Sequence, residues 1–233
     1  MQKQEKIVQM FDDIAPTYDK ANRILSFGSD VSWRKKACLS VFKYSKDKLD
    51  IVDIACGTGD MIIEWQNQAK KAQKEISSIK GVDPSAGMLE VAKKKILNAS
   101  FIQAKAQELP LENQSADIIS ISYGIRNVVD RKEAIKEFSR VLKKDGILLV
   151  LEFTKREQGG FIATCRDFYL KNILPKIGGF ISKNYSAYEY LPNSIDDFLS
   201  KEDFIDELSE DFQMLEYKSF SFGVCSMFIA RKK

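Results

Sequence analysis

The stretch VDIACGTGD, residues 52–60, carries an apolar β-branched run into a pair of glycines and out into a helix-like segment. Glycine at 57 and 59 lets the backbone take turn torsions closed to other residues and approach a bound group closely. The segment from Asp60 onward points its first amide donors into the same space. In an open parallel sheet, ligands sit at the carboxyl ends of the strands. A bare G-x-G is also an ordinary structural turn, so its meaning depends on its surroundings.

Those surroundings are regular. LDIVDIA (49–55), IKGVDPS (79–85), SFIQA (100–104), ADIISISYG (116–124) and GILLVLEF (146–153) read as short strands. DMIIEWQNQAKKAQKE (60–75), AGMLEVAKKKILN (86–98) and DRKEAIKEFSRVLKKDG (130–146) have helical spacing, and Gly146 reads as the last one's C-terminal stop. The strands are continuous apolar runs, the mark of a parallel α/β sheet covered on both faces. MLEYKSFSFG (214–223) and VCSMFIARK (224–232) close the chain as an antiparallel strand pair, after an acidic helix expected over 196–211 around Phe198, Phe204, Ile205 and Leu208. Residues 156–195 interrupt the alternation as an insertion. Within it Phe161, Cys165, Phe168, Tyr169 and Ile173 are expected on one helix face, opposite Asp167 and Lys171.

Ahead of the sheet, Ile7, Met10, Phe11 and Ile14 mark an amphipathic helix stopped by Pro16. A polar, aromatic-containing stretch leads to Trp33, and a second helix covers about 32–43. The expected division is an N-terminal helical lid, 1–48, and a main domain, 49–233, with a helical insertion at about 156–195.

The residues at the strand ends narrow the ligand. Ile62 stands where the dinucleotide fingerprint G-x-G-x-x-G has its third glycine; the pattern is Asp53-x-x-x-Gly57-Thr58-Gly59. Asp83 ends the second strand in GVDPS, 24 residues past Gly59, where a carboxylate can accept hydrogen bonds from both hydroxyls of an adenosine ribose. A turn residue before Pro84 is the plainer reading of Asp83. Lys105 and Ala106, after the third strand, are placed to flank an adenine, and Ser122, ending the fourth, lies beside the same space. An adenosine without pyrophosphate, S-adenosylmethionine, suits this set.

The bulk numbers exclude several classes. With 36 basic and 33 acidic residues the chain carries only +3, against a protein built to hold a nucleic-acid backbone. It has no histidine, and its four cysteines (38, 56, 165, 225) form no C-x-x-C pair, so an ordinary zinc site is not expected. The charged N-terminus is no signal peptide, and no apolar run approaches the roughly 20 residues of a bilayer span. A cytoplasmic protein with reduced thiols is expected.

VDIACGTGD, GVDPSAGML, QAKAQELPLENQSADIISISYGIRNVVD and RVLKKDGILLVLEF together resemble the class I S-adenosylmethionine-dependent methyltransferases. FDDIAPTYDKANRILSFGSDVSWR, SYGIRNV and LPKIGGFIS…YEYLPNSI are similar to the quinone C-methyltransferases of the menaquinone and ubiquinone pathways, and the match spans nearly the whole chain. Two departures stand out: Cys56 replaces a frequent glycine, and AKAQ replaces NAEA, so that Lys105 stands for an asparagine.

The resemblance implies a Rossmann-like fold: a seven-stranded, mostly parallel sheet with helices on both faces. It implies S-adenosylmethionine as methyl donor and C-methylation of a polyprenylated hydroquinone, demethylmenaquinol first and 2-methoxy-6-polyprenyl-1,4-benzoquinol as the alternative. Such chemistry needs a phenolate-like oxygen stabilised in a dry site. Arg126 is the expected fixed cation, Asn127 the group that orients a second oxygen or a water, and Tyr18 and Asp19 the lining supplied by the lid. The plainer readings are a loop salt bridge for Arg126, a turn residue for Asn127 and a packing aromatic for Tyr18. A greasy substrate leaves room for peripheral contact with the inner face of the membrane, and self-association is compatible with the sequence. Rival functions are a nucleic-acid methyltransferase, for which the Pro-Pro-aromatic tetrapeptide after the fourth strand is missing, a non-catalytic S-adenosylmethionine sensor, and a methyltransferase of another small aromatic or sterol-like lipid.

Overall fold

The computed structural model of the chain describes residues 3–155, 168–182 and 184–233. The chain opens with α1 (Lys3–Ile14), a 3₁₀ turn (Ala15–Thr17), α2 (Tyr18–Leu25) and α3 (Ser29–Phe42). The alternating part follows as β1 (Lys48–Ile54), α4 (Asp60–Ala72), β2 (Glu75–Asp83), α5 (Ala86–Lys95), β3 (Ser100–Gln103), β4 (Ala116–Ser122), α6 (Arg131–Val141) and β5 (Leu142–Glu152). A π-helical turn (Tyr169–Ile173), α7 (Leu174–Ser182), α8 (Tyr185–Asp196), α9 (Lys201–Leu208), β6 (Phe212–Phe220) and β7 (Cys225–Lys232) complete it.

The seven strands form one sheet in the order β3-β2-β1-β4-β5-β7-β6. The first five are parallel, and β7 enters antiparallel between β5 and β6. Successive residues serve opposite faces, as the pleat requires. Leu49, Ile51, Leu149 and Leu151 pack with Trp33, Ile62 and Trp65 on one side. Val52, Ile54, Leu148 and Val150 pack with Phe138, Phe204 and Phe228 on the other. The order reverses between β1 and β4, so their carboxyl ends open a crevice.

Above that crevice lies a third apolar cluster. Ile14, Ala15, Ala21 and Leu25 of the N-terminal helices meet Met88 of α5, Leu174 of α7, and Ala187 and Tyr188 of α8. Among the described residues no helix is long and apolar enough to cross a membrane.

Several boundaries differ from the sequence reading. Pro16 does not end the helical region: it sits at the start of the 3₁₀ turn, where its missing N–H costs nothing, and α2 follows at once. The break comes at Phe27 and Gly28, both left-handed (φ 51° and 73°), so the second expected helix starts at Ser29. Gly146 stops no helix. α6 ends at Val141, and Gly146 lies inside β5 at an irregularity where Asp145 takes φ 63°. The acidic helix is α9 alone: Ser200 accepts from the Asp203 amide as its N-cap, leaving Phe198 buried in the turn before it. In the insertion Phe161, Cys165 and Asp167 lie outside the described residues. Of the rest, Phe168 is exposed, whereas the Tyr169 hydroxyl turns inward and donates to the Leu25 carbonyl.

Two residues at the crevice hold a left-handed backbone without being glycine, Ala55 after β1 (φ 50°) and Tyr123 after β4 (φ 61°). Gly124 is required by this approach of the two strand ends, because a Cβ there would lie 2.5 Å from the Ala55 Cβ. Gly124→Ala is expected to cost about 1–3 kcal/mol of stability through overpacking, read as a lower midpoint in urea unfolding.

Candidate active site

The glycine turn and Asp83 form one unit. The Gly57 amide donates to Asp83 Oδ2 at 2.8 Å, and the Ser85 amide donates to Oδ1 at 2.8 Å. Each carboxylate oxygen therefore keeps a lone pair for a second donor. Burial pushes the Asp83 carboxyl up to about 6, against the pull of its two amides. Gly57 has φ 53° and open space where a Cβ would be, so the turn leaves room for a ligand. Gly59 is also left-handed, with φ 85°, but there a Cβ would strike Ile96 just past the end of α5. Cys56 points down, among core residues beside Gly81, Phe101 and Ile62. A thiol at this position is thus accommodated without entering the crevice.

A cavity of about 80 Å³ opens beside this unit. Gly57, Asp83, Lys105, Ala106 and Ser122 border it, as does Asn127. Lys105 is exposed, while Ala106 is buried in the wall. The Ser122 hydroxyl is buried and has no hydrogen-bond partner among the described residues. Asp53, Thr58 and Gly59 are not in the lining. Asp53 lies beneath the turn at the end of a buried chain, in which the Trp65 indole donates to Ser120 and Ser120 donates to Asp53 at 2.6 Å. Burial lifts its carboxyl to about 7. Thr58 donates to Asp19 of α2. Asp19 also pairs with Lys95 at 2.8 Å, so it fastens α2 to the turn and to α5 and does not line the cavities.

The N-terminal helix α1 narrows this cavity with Gln4, Ile7, Val8 and Phe11. Asp12 fixes it there, accepting from the Ser85 hydroxyl at 2.6 Å and from the Gly87 amide at 2.8 Å. Sequence reading missed Asp12. Its signal was weak, one carboxylate among several on an amphipathic helix, because its partner is a helix N-terminus 75 residues away.

A second cavity, about 490 Å³ and mostly apolar, adjoins the first, and Phe11, Tyr18 and Tyr123 border both. Met10, Leu25, Trp33, Leu174 and Leu191 supply grease, and Arg34, Asp30 and Arg126 supply charge. Burial raises the Tyr18 phenol against the opposing effects of Asn22, Arg126 and Arg34, so Tyr18 stays a neutral donor at neutral pH. Arg126 is deeply engaged. Its Nη1 donates to Glu152 Oε1 and to the Tyr123 carbonyl, both at 2.6 Å, and its Nε donates to Ser194 Oγ at 3.2 Å. Glu152 is fully buried, and the loop salt bridge weighed from sequence is therefore real. Only Nη2 of Arg126 makes no hydrogen bond among the described residues. Asn127 Oδ1 accepts from the Tyr190 hydroxyl at 2.9 Å, so Asn127 stands in the wall between the cavities and faces the smaller one.

The sequence model of the ubiE/COQ5 methyltransferase family matches residues 1–232. The ubiquinone/menaquinone biosynthesis C-methyltransferase UbiE of Campylobacter jejuni strain RM1221 is 72% identical over 234 residues, covering 100% of each chain. The demethylmenaquinone methyltransferase of Thermotoga maritima is 35% identical, covering 95% of this chain and 94% of its own. Among solved structures, an S-adenosylmethionine-dependent methyltransferase of T. maritima, described as a possible histamine N-methyltransferase, superposes with a TM-score of 0.66 at 20% identity. That alignment covers 97% of this chain and 100% of the other, and at such identity the likeness concerns the fold.

The Arg126–Glu152 pair makes a separate expectation. Arg126→Ala strands a buried carboxylate and is expected to lose about 3–5 kcal/mol in equilibrium unfolding. Adding Glu152→Ala to it is expected to restore part of that loss, a coupling that a double-mutant cycle reads directly.

Proposed function

The chain belongs to the ubiE/COQ5 methyltransferase family, and on that premise we propose that it methylates a ring carbon of a polyprenylated quinol with S-adenosylmethionine. Demethylmenaquinol is the first acceptor, and 2-methoxy-6-polyprenyl-1,4-benzoquinol is the second, since the names of its relatives cover both quinones. One observation carries the reading: a small cavity that holds the Asp83 carboxylate and the Ser122 hydroxyl meets a larger, mostly apolar one at Phe11, Tyr18 and Tyr123, as transfer between a nucleoside and a greasy ring requires.

The smaller cavity suits the adenosine. Asp83 offers one free lone pair per oxygen to two ribose hydroxyls, and Ser122 offers an unpartnered buried hydroxyl. Gly57 gives close backbone approach, and Lys105 and Ala106 flank the base. Asp53, Thr58 and Gly59 act one layer behind, holding the turn. When bound, S-adenosylmethionine supplies an electrophilic methyl on a sulfonium.

This chain's residues prepare the acceptor. A quinol carbon becomes a good nucleophile when an adjacent hydroxyl gives up its proton, and a buried cation favours that ionisation. Tyr18 donates toward the oxygen, and the remaining Nη2 of Arg126 adds positive potential from the same wall. Asn127, fixed by Tyr190, orients groups at the junction of the cavities. The apolar lining excludes water and aligns the ring with the methyl. The prenyl tail leaves past Phe27 and Phe222, which are 83% and 80% exposed at the larger cavity's edge. Such rings fit peripheral contact with a membrane surface from the cytoplasmic side, as a lipid-borne substrate demands.

Purified protein given labelled S-adenosylmethionine and each reduced quinone separately is expected to yield the ring-methylated quinone in the lipid fraction, with demethylmenaquinol turned over faster. Failure with both would overturn the reading. Asp83 adds a pH expectation. The carboxylate must be ionised to accept two hydroxyls, and its pKa in the fold is about 6. Affinity for S-adenosylhomocysteine is therefore expected to be level above pH 7 and to fall as pH drops through 6, approaching roughly tenfold per unit. In Asp83→Asn, titration calorimetry is expected to find weak binding without that slope.

A further inference from the structure

Arg34, in α3, also borders the larger cavity; it ends the block FDDIAPTYDKANRILSFGSDVSWR, in which the sequence reading gave it no role. Its side chain is only 8% exposed. A guanidinium has five N–H donors, and leaving them unmet away from water is costly. Arg34 makes one hydrogen bond among the described residues, from Nη1 to Asp30 Oδ2 at 2.6 Å. Asp60 Oδ2 lies 3.7 Å from the same nitrogen. Nε and Nη2 have no partner among the described residues.

The compensation differs from that of Arg126. Arg126 has Glu152 to itself and commits both Nε and Nη1. Arg34 shares Asp30 with Arg23, which donates to both carboxylate oxygens at 2.9 and 2.8 Å, and with the Ser26 hydroxyl at 2.7 Å. Asp60 in turn is held by Lys95 at 2.7 Å and Arg23 at 3.2 Å. Arg34 thus keeps more donors for another group. Its position is set by aromatic contacts. Its guanidinium lies 5.3 Å from the Tyr123 ring centroid, Tyr123 stacks on Phe153 at 4.9 Å, and the Arg126 guanidinium lies 5.4 Å from Phe153. Tyr123 borders both cavities, so Arg34 stands beside their junction.

We propose that Arg34 is a substrate-contacting residue, whose guanidinium hydrogen-bonds a hydroxyl oxygen of the quinol and holds it as the quinolate from which the ring carbon attacks. This rests on the quinol reading above. The hydroxyl proton leaves to water. The ring carbon's electron pair forms the new C–C bond as the C–S bond breaks, with its pair retained by sulfur, and the ring C–H proton then leaves to water as aromaticity returns.

The test is the pH dependence of turnover in Arg34→Gln with a short-tailed demethylmenaquinol. The charged and titratable groups around Arg34 are Asp30 and Cys38 on its own helix, Arg23 and Tyr18 from α2, Asp53 from β1, Asp60 from α4, Tyr123 after β4 and Cys225 from β7. Asp30 is held below its ordinary range by Ser26 and its cations and Asp60 by its cations, the phenols and thiols are raised by burial, and Asp53, lifted to about 7, titrates at the acid edge of the pH 7 to 9.5 range, where its ionisation cannot produce a tenfold rise between pH 7.5 and 9.5. Arg34→Gln is expected to lose about 10²–10³ in kcat at pH 7.5 and to regain at least tenfold by pH 9.5, as a phenol of ordinary pKa near 10 begins to ionise unaided. The wild type stays level over that range. Affinity for S-adenosylhomocysteine is expected to change less than threefold, and Arg34→Lys, which keeps the charge, is expected to fall between the two. Asp30 retains Arg23 and Ser26 in both variants; should the glutamine variant not fold, the lysine variant's pH profile decides. A glutamine variant within threefold of wild type, or one equally impaired at every pH, would remove Arg34 from the reaction while leaving the quinol reading intact. A wild type that methylates no quinol would remove both.

Discussion

The constraint on which the rest depends is the burial of a carboxylate at the carboxyl edge of the sheet. Asp83 sits in low dielectric, and two backbone amides, from Gly57 and Ser85, make that tolerable. Each amide comes from a loop that must turn sharply after its strand. The glycine turn after β1 and the Ser85-capped start of α5 after β2 are therefore shaped around one side chain. Asp12 then draws the N-terminal helix onto the same α5 terminus, through Ser85 and Gly87. Turn, carboxylate and covering helix are links in one hydrogen-bonded chain.

The larger cavity follows a different rule. Its walls are greasy, yet two guanidiniums stand in them, and buried charge is tolerated only when paired. Glu152 neutralises Arg126 and in doing so pins the SYGIRNV loop to the end of β5. Asp30, Asp60 and Asp19 neutralise Arg23, Arg34 and Lys95 collectively, and that network ties α2 and α3 to α4 and α5. The same pairs that make the cations affordable hold the helical layer over the crevice. Local cohesion and local potential are supplied by the same side chains.

A quinol methyltransferase must admit a long tail and yet exclude water from one ring. The class I methyltransferase fold supplies the rigid half of that arrangement, with strand ends at fixed spacing. The helical layer supplies the other half, packed on α5 through Met88 and on itself through Ala21, Leu174 and Tyr188. Gly178 of α7 lies so close to the Tyr188 ring that a Cβ would come within 2.2 Å. That contact lets α7 and α8 close over the site at short range.

Much of this was legible in the sequence. Runs such as DIVDI and ILLVLE could only be buried parallel strands, Asp83 stood at a strand end at adenosine spacing, and SYGIRNV marked the loop after the fourth strand. The strand and loop readings succeeded because strand periodicity and turn chemistry are local, and Asp83 does border the smaller cavity at the end of β2. Pro16 and Gly146 were misread as helix stops, whereas the failures among the charged residues were of another kind. Asp53 looked like part of the ligand contact but faces Ser120, since a pleated strand shows alternate residues to opposite faces. Asp19 was expected to line the pocket and is a fastener, Arg126 was expected as the fixed cation and is paired with Glu152, and Asp12 and Arg34 drew no reading of their own. Sequence determined which elements form and where a ligand could lie. Tertiary structure alone decided which charges are spent on one another and which still face the cavities, because a charged side chain's availability depends on partners brought near it from distant parts of the chain.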